Sequence, residues 1–429
     1  MTAARAARRA GASAAGWTLV LTALVGVRLA VPLVALAAEG RDLPGLPRYD
    51  YVPLNGDANG FYSAVRDFIS AAGRLGAIRL VGLAIGVLLV TWLALRLRPR
   101  FGLLVLLLPV LTLSLAIGAV IDEMVATGAA VFGWSLVWSI PAVPLRAVDA
   151  LSPDSAFAVA LPLSLAANAV TVVATAYVGL FATGRRSVGL GSAALLAFWP
   201  LLSRPIAGPG AWENGQWNVD VGLHLYTEPL STALVTVALA LLLAPHRGDG
   251  RMAMAGALLS FAVAVKLSNV FLLAVGLAVL LGRDGLRRAL PAAAGALALA
   301  PIAIAYWPKG YPTLWDDPNS VSPHPFSVDY VFRSWTDSLV FHPRTLLVLL
   351  PLLVLGLFTL RSRWTLALFT GWILTTAAFY SLYDVTRFHP RFLYAVLPVV
   401  FVLEAAGARV LLALVHERWA RAPNGVPRG

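Results

Sequence analysis

Apolar runs long enough to cross a bilayer recur along this chain, and every second gap between them is short and rich in arginine. No other feature constrains the fold so tightly. A helix rises about 1.5 Å per residue and a hydrocarbon core is about 30 Å thick, so a run near twenty residues makes one crossing. In lipid the backbone must satisfy its own hydrogen bonds, and continuous rather than alternating apolar runs select helices over a barrel. The runs fall at roughly 17–38, 75–95, 101–120, 155–182, 187–202, 223–244, 252–265, 268–281, 290–307, 345–360, 364–381 and 392–412. With 59% hydrophobic and 13% charged residues, no soluble globule of this chain could cover itself with polar surface. The expected fold is all-α, a polytopic transmembrane helix bundle of about twelve spans with external loops and short interfacial helices, forming a single integral membrane domain over residues 1–429.

The formal charge of +12 is almost wholly arginine, since Lys266 and Lys309 are the lysines. Such a charge suits nucleic acid as well as membranes, but its placement decides for the membrane. Alternating the spans puts Arg96/Arg98/Arg100, Arg185/Arg186, Arg247/Arg251, Arg283/Arg287/Arg288, Arg361/Arg363 and Arg418/Arg421/Arg428 on one side, together with Arg5, Arg8 and Arg9. The positive-inside rule makes that side cytoplasmic and both termini with it. This predicts a multi-pass protein of the plasma (cytoplasmic) membrane with its active site extracytoplasmic. Two segments test the count. Residues 125–143 are apolar enough to span, yet a crossing there would turn every later arginine cluster outward, so they are expected as a re-entrant or interfacial helix. Ala35-Leu36-Ala37 imitates a signal-peptidase site, but the run before it exceeds a usual signal core and is expected as a retained first helix. The chain has no cysteine, which excludes a disulfide framework, a thiolate nucleophile and Cys-ligated metal.

The long loops, about 39–74, 121–154, 203–222, 308–344 and 382–391, all fall outside, and with them most of the acidic residues. Groups that hold and transform a substrate must sit where the polar sequence is, so chemistry is expected on the outer face. The two halves show no matching broken helices, which removes the inverted-repeat argument for a transporter. The first external loop, 39–74, is the candidate catalytic segment. It holds two acids: Asp57 is the expected catalytic base and Asp50 the alternative. Asn55-Gly56 and Asn59-Gly60 are turn dipeptides that would set Asp57 at a bend, and Phe61, Val65 and Phe68 recur at helical spacing.

Asp57-Ala-Asn-Gly-Phe61-Tyr62, with the following Ser-Ala-Val-Arg-Asp67, resembles the first external loop of polyprenyl-phosphate-sugar-dependent glycosyltransferases of the GT-C superfamily, and the span pattern resembles theirs over nearly the whole chain. That resemblance implies a catalytic carboxylate at Asp57 followed by an aromatic residue, Tyr62, and a short helix. Ala58 stands where many members have a second acid, so no acidic pair for a metal is implied and no cofactor is expected. Leu225-Tyr226-Thr227-Glu228-Pro229 is similar to the acid-plus-proline opening of an outer span mouth, although Thr227, Glu228 and Pro229 are also plain helix-start residues. Ala264-Val-Lys266-Leu-Ser-Asn269 resembles a helix pair with a central lysine, and Arg387-Phe-His389-Pro-Arg391-Phe-Leu-Tyr394, leading to Pro398, resembles the arginine-tyrosine-proline start of a late span.

The chemistry fits those positions. A lipid-linked sugar donor leaves as a phosphate anion at the interface, and arginine grips phosphate bidentately without losing its charge. Arg391 and Arg387 are expected to bind the donor phosphate, with Lys266 and His389 adding charge or hydrogen bonds. Glu228, Tyr62, Trp217 and His324 are expected at the acceptor or sugar, the last two from aromatic-rich external stretches, 212–220 and 307–335, the second within the 308–344 loop. Asp316-Asp317, followed by Pro318-Asn319, reads as a turn more than as a divalent-metal site. The expected reaction is displacement at the anomeric carbon with inversion, Asp57 taking the proton of the acceptor hydroxyl as polyprenyl phosphate departs. The expected donor is a polyprenyl-phosphate sugar, mannose-like, and the acceptor an envelope glycolipid or glycan. A transporter or flippase of a lipid-linked substrate is the alternative. Sugar, linkage and acceptor are not legible in these residues.

Overall fold

The apolar runs fold as helices, and among the described residues there is no strand. The computed structural model describes residues 2–38, 57–122, 133–207, 225, 227–246, 248–310, 327–331, 343–382 and 390–421. In chain order the helices are α1 (Thr2–Ala37), α2 (Asp57–Leu75), α3 (Ala77–Phe101), α4 (Leu107–Asp122), α5 (Gly133–Ala147), α6 (Pro153–Thr183), α7 (Arg186–Ala207), α8 (Glu228–Leu243), α9 (Asp249–Val265), α10 (Asn269–Asp284), α11 (Leu286–Gly310), α12 (Pro343–Leu357), α13 (Arg363–Leu382) and α14 (Leu397–Arg421). A 3-10 turn, Pro390–Val396, leads into α14. Each apolar run of the sequence coincides with one of these helices. Seven contain stretches long and apolar enough to cross a membrane, those in α1, α3, α4, α6, α11, α13 and α14. The chain is a multi-pass membrane protein with an all-helical bundle. On α3 the apolar residues Ile78, Ile85, Leu88, Leu89 and Trp92 are exposed, as lipid-facing side chains must be when no neighbouring helix covers them.

Helix contacts in a bilayer gain little from water exclusion, so close backbone approach decides them. α9 and α11 pack through reciprocal glycines: a side chain on Gly256 would run into the Ala292 carbonyl, and one on Gly295 into the Ala253 carbonyl. The arginine-bearing turns gather at one end of the bundle. There the Arg361 amide donates to the Ala182 carbonyl at 3.0 Å, Arg283 to the Leu242 carbonyl at 3.4 Å, and Arg288 pairs with Asp249 at 2.6 Å. Gly184 ends α6 in the left-handed region, φ 72°, where any other residue would be strained.

One sequence expectation changes. Asn59-Gly60 lies inside α2 rather than in a turn, because burial of Phe61, Ala64, Val65 and Ala71 on neighbouring elements outweighs a local turn preference. Arg28, within the first apolar run, is buried in the bundle. Its guanidinium donates to Asn168 Oδ1 at 3.0 and 3.3 Å, to the Leu196 carbonyl at 3.5 Å and to the Tyr394 hydroxyl. Three elements far apart in sequence are thereby tied to the 3-10 turn. Ala35 is buried beside Leu161 and Leu201, so the Ala35–Ala37 segment is packed helix.

Candidate active site

The end of the bundle opposite the arginine turns is organised by α5. Its sequence, Gly133-Trp-Ser-Leu-Val-Trp-Ser, places Trp134, Ser135, Trp138, Ser139 and Ala142 on the buried side at helical spacing. Three anchors follow from its first turn. The Trp134 indole donates to the Leu225 carbonyl at 2.7 Å, and the Ser135 hydroxyl to the Phe61 carbonyl at 3.2 Å. Gly133 lies so close to the end of α9 that a Cβ there would stand 2.7 Å from the Ala264 carbonyl carbon. The Trp138 indole adds a bond to the Ala156 carbonyl at 3.0 Å, fixing the start of α6. Phe61, Tyr62, Val65, Trp134, Trp138, Leu225 and Val265 share one apolar cluster. Phe61 and Tyr62 near the start of α2, Leu225 two residues before Thr227, and Val265 next to Lys266 are therefore held by one short helix. Leu225 is bent to φ 55°, a conformation that costs a non-glycine residue energy and persists because the indole bond and full burial impose it.

Glu228 opens α8, and Lys266 ends α9 where the chain turns extended before α10. Lys266 Nζ lies 2.8 Å from Glu228 Oε1, with the side chains only 14% and 4% exposed. The Thr227 hydroxyl donates to Glu228 Oε2 at 3.3 Å. The ammonium also stands 5.7 Å from the centre of the Tyr380 ring, a cation–π distance. Tyr380 shares a hydrogen bond of 2.8 Å with Ser268. One residue further on, Asn269 donates to Ser231 Oγ and to the Ala262 carbonyl, both at 2.8 Å. The cluster joins α8, α9, α10 and α13 through polar groups at one level. Glu228 and Lys266, expected on acceptor and donor respectively, hold each other, so neither charge stands bare at the site.

The other expected residues divide by what is described. Tyr62 is buried beside Trp138, ring centres 6.4 Å apart, and lies on the α2 face that meets α5. Asp57 is the first residue of α2 and Arg391 lies in the 3-10 turn; the description covers their backbones only. A carboxylate at a helix start is stabilised by the helix dipole. Asp50, Arg387, His389, Trp217 and His324 lie outside the described residues, as do Asp316 and Asp317. Among the described residues no three of His, Asp and Glu come together as a metal-binding group.

Ser268, Tyr380, Ser231 and Asn269 were not singled out from sequence as site residues. A serine, an asparagine and a tyrosine inside apolar runs are the available signal, because polar side chains in lipid seek partners on other helices. Among the described residues two buried carboxylate oxygens have no hydrogen-bond partner, Asp67 Oδ2 on α2 and Glu404 Oε1 on α14. Among the described residues Glu404 makes no ion pair with an arginine: Arg28 spends its donors elsewhere, and Arg79 and Arg409 are exposed. No protein-family model, no curated protein and no solved structure matches this chain.

Proposed function

We propose that this protein is an inverting membrane glycosyltransferase that uses a polyprenyl-phosphate sugar, of the GT-C kind, and works on the extracytoplasmic face. The observation that carries the reading is the convergence on α5 of Phe61 and Tyr62, four and five residues after Asp57, of Leu225, three residues before Glu228, and of the α9 end next to Lys266. These came from three separate stretches that the sequence nominated for one site. On the twelve-span arrangement, the arginine turns face the cytoplasm with both termini, and the α2–α5 end faces out. α5 then lies at the outer interface without crossing, as the arginine parity requires.

In this reading Asp57 accepts the proton of the attacking hydroxyl while the anomeric carbon to phosphate bond breaks. A carboxylate of ordinary basicity is a weak base for a free hydroxyl, so proton transfer accompanies bond formation and orientation supplies much of the rate. Arg391, with Arg387 and His389, takes the leaving phosphate. Lys266, already paired, sets the local potential and holds α9 and α10 against α8. The donor tail lies between helices and the acceptor is an envelope glycolipid or glycan; the donor sugar is mannose-like. The test is incubation of purified protein with radiolabelled polyprenyl-phosphate sugars and lipid acceptors, with Asp57→Asn as control. Transfer lost in the control supports the enzyme, and a fully active Asp57→Asn removes the reading.

One observation favours a lipid-substrate transporter instead, the buried Glu404 whose Oε1 has no partner, since unpaired acids within spans serve ion pathways. Movement of a labelled lipid-linked sugar across proteoliposomes without transfer decides for that alternative.

A further inference from the structure

Beside the α2–α5 seam lies a small cavity of about 70 Å³, lined by Tyr62, Arg66, Ile69, Ser70, Arg146 and Leu151. On α2 the lining positions are i, i+4, i+7 and i+8, one helical face. Arg146, in the last turn of α5, comes in from the other side. Two arginines and two hydroxyl-bearing side chains surround the space. The one ion pair that either arginine makes among the described residues is between Arg146 and Asp149, at 3.4 Å, with side chains 58% and 94% exposed, a pair of small energetic weight. The carboxylate next to Arg66 does not pair with it: Asp67 Oδ2 is buried without a partner. Arg66 lies 5.9 Å from the centre of the Tyr62 ring, which holds the guanidinium at the cavity.

We infer that this cavity is a phosphate-binding site for the headgroup of an anionic lipid, and that this lipid is the acceptor. The chemistry of the walls is that of phosphate recognition: two planar forks that cannot be deprotonated, with hydroxyl donors between them. The size agrees, since a water needs about 10–15 Å³ of such space and the cavity has room for about five groups of that size, as many as the heavy atoms of a phosphate. Position assigns the role. Arg66 is nine residues along α2 from Asp57, about 14 Å at 1.5 Å per residue, while a base must stand within about 3 Å of the proton it removes. A phosphate held here is therefore not the leaving group. It belongs to a molecule whose reacting hydroxyl lies a glycan's length from its phosphate. The acceptor role rests on the glycosyltransferase reading; the phosphate site does not.

The experiment places the full-length protein in phosphatidylcholine nanodiscs containing a small fraction of radiolabelled phosphatidylinositol and measures retained label, without any donor. Wild type is expected to enrich the anionic lipid over labelled phosphatidylcholine. Arg66→Gln and Arg146→Gln should each weaken retention about five- to tenfold, as for partly exposed charged contacts. Ser70→Trp, from an exposed position, fills the cavity without changing charge and should have the same effect. Equal retention by wild type, the double arginine variant and Ser70→Trp overturns the site. Inorganic phosphate should compete only at far higher concentration; displacement at equal concentration overturns the lipid source in favour of a free anion. Adding polyprenyl-phosphate mannose, with a phosphatidylinositol that carries a glycan in place of the plain lipid, separates the two readings. Retention with transfer to the retained lipid supports both, and retention without transfer to it overturns the acceptor role while leaving the phosphate site standing. Retention with no transfer to any lipid overturns the glycosyltransferase reading as well.

Discussion

Removing one partner of the Glu228–Lys266 pair takes the nearest opposite charge from the other in a site with little access to water. The pair is 2.8 Å apart with side chains 4% and 14% exposed. At an effective dielectric near 20 its gross attraction is roughly 6 kcal/mol, most of which offsets the desolvation of both ions. Net stability from the intact pair is therefore small, while Glu228→Gln or Lys266→Met alone is expected to cost about 3 kcal/mol or more. The double variant removes both charges and should cost less than the sum, leaving a coupling energy of about 2 kcal/mol. Chemical unfolding in mixed micelles, followed by the fluorescence of the 13 tryptophans, gives the four stabilities of the cycle. The residual cation–π contact of Lys266 with Tyr380 adds at most about 1–2 kcal/mol to the lysine variant. If both single variants stay within about 0.5 kcal/mol of wild type and their effects add, the pair is solvated and the argument for a closed polar cluster fails.

Asp57→Asn preserves shape and removes the proton acceptor, so transfer should fall by orders of magnitude with donor binding retained; if Asp50→Asn is the dead variant instead, the base lies seven residues upstream. Arg391→Lys should not rescue Arg391→Ala in donor binding, because lysine keeps the charge and loses the two-point grip; the expected loss is about 1.5–3 kcal/mol, read by competition with free polyprenyl phosphate. Arg28→Met strands Asn168 and the Tyr394 hydroxyl and should destabilise by about 3 kcal/mol, whereas Tyr394→Phe, which keeps the ring, should cost about 1 kcal/mol in the same unfolding assay. Asn59→Cys, exposed on α2 in a chain with no cysteine, should react with an impermeant thiol reagent on intact cells; reaction only after the membrane is opened overturns the outward placement of this end.

The helices and most of their boundaries were legible because lipid leaves a chain no alternative to internal backbone bonding, and the apolar run and its basic flanks are local signals. The amphipathic helix after Asp57 was legible for the same reason, through Phe61, Val65 and Phe68. Asn59-Gly60 was misread because a turn preference of about 1 kcal/mol is local, while the burial that overrides it comes from α5 and the α9 end. Lys266 and Glu228 could be nominated from sequence, but not their mutual contact: they are 38 positions apart, and the Gly133 close approach and the Trp134 bond to the bent Leu225 position the segments that carry them. The same holds for Arg28, whose burial depends on Asn168, Leu196 and Tyr394 arriving together. The sequence by itself determined that this chain lives in a bilayer as helices, with arginines clustered in the short turns between them. Only the tertiary structure decided which charges neutralise each other and which, like Arg66 and Arg146, line one cavity, because that depends on distances of a few ångströms between segments whose order along the chain says nothing of their contact.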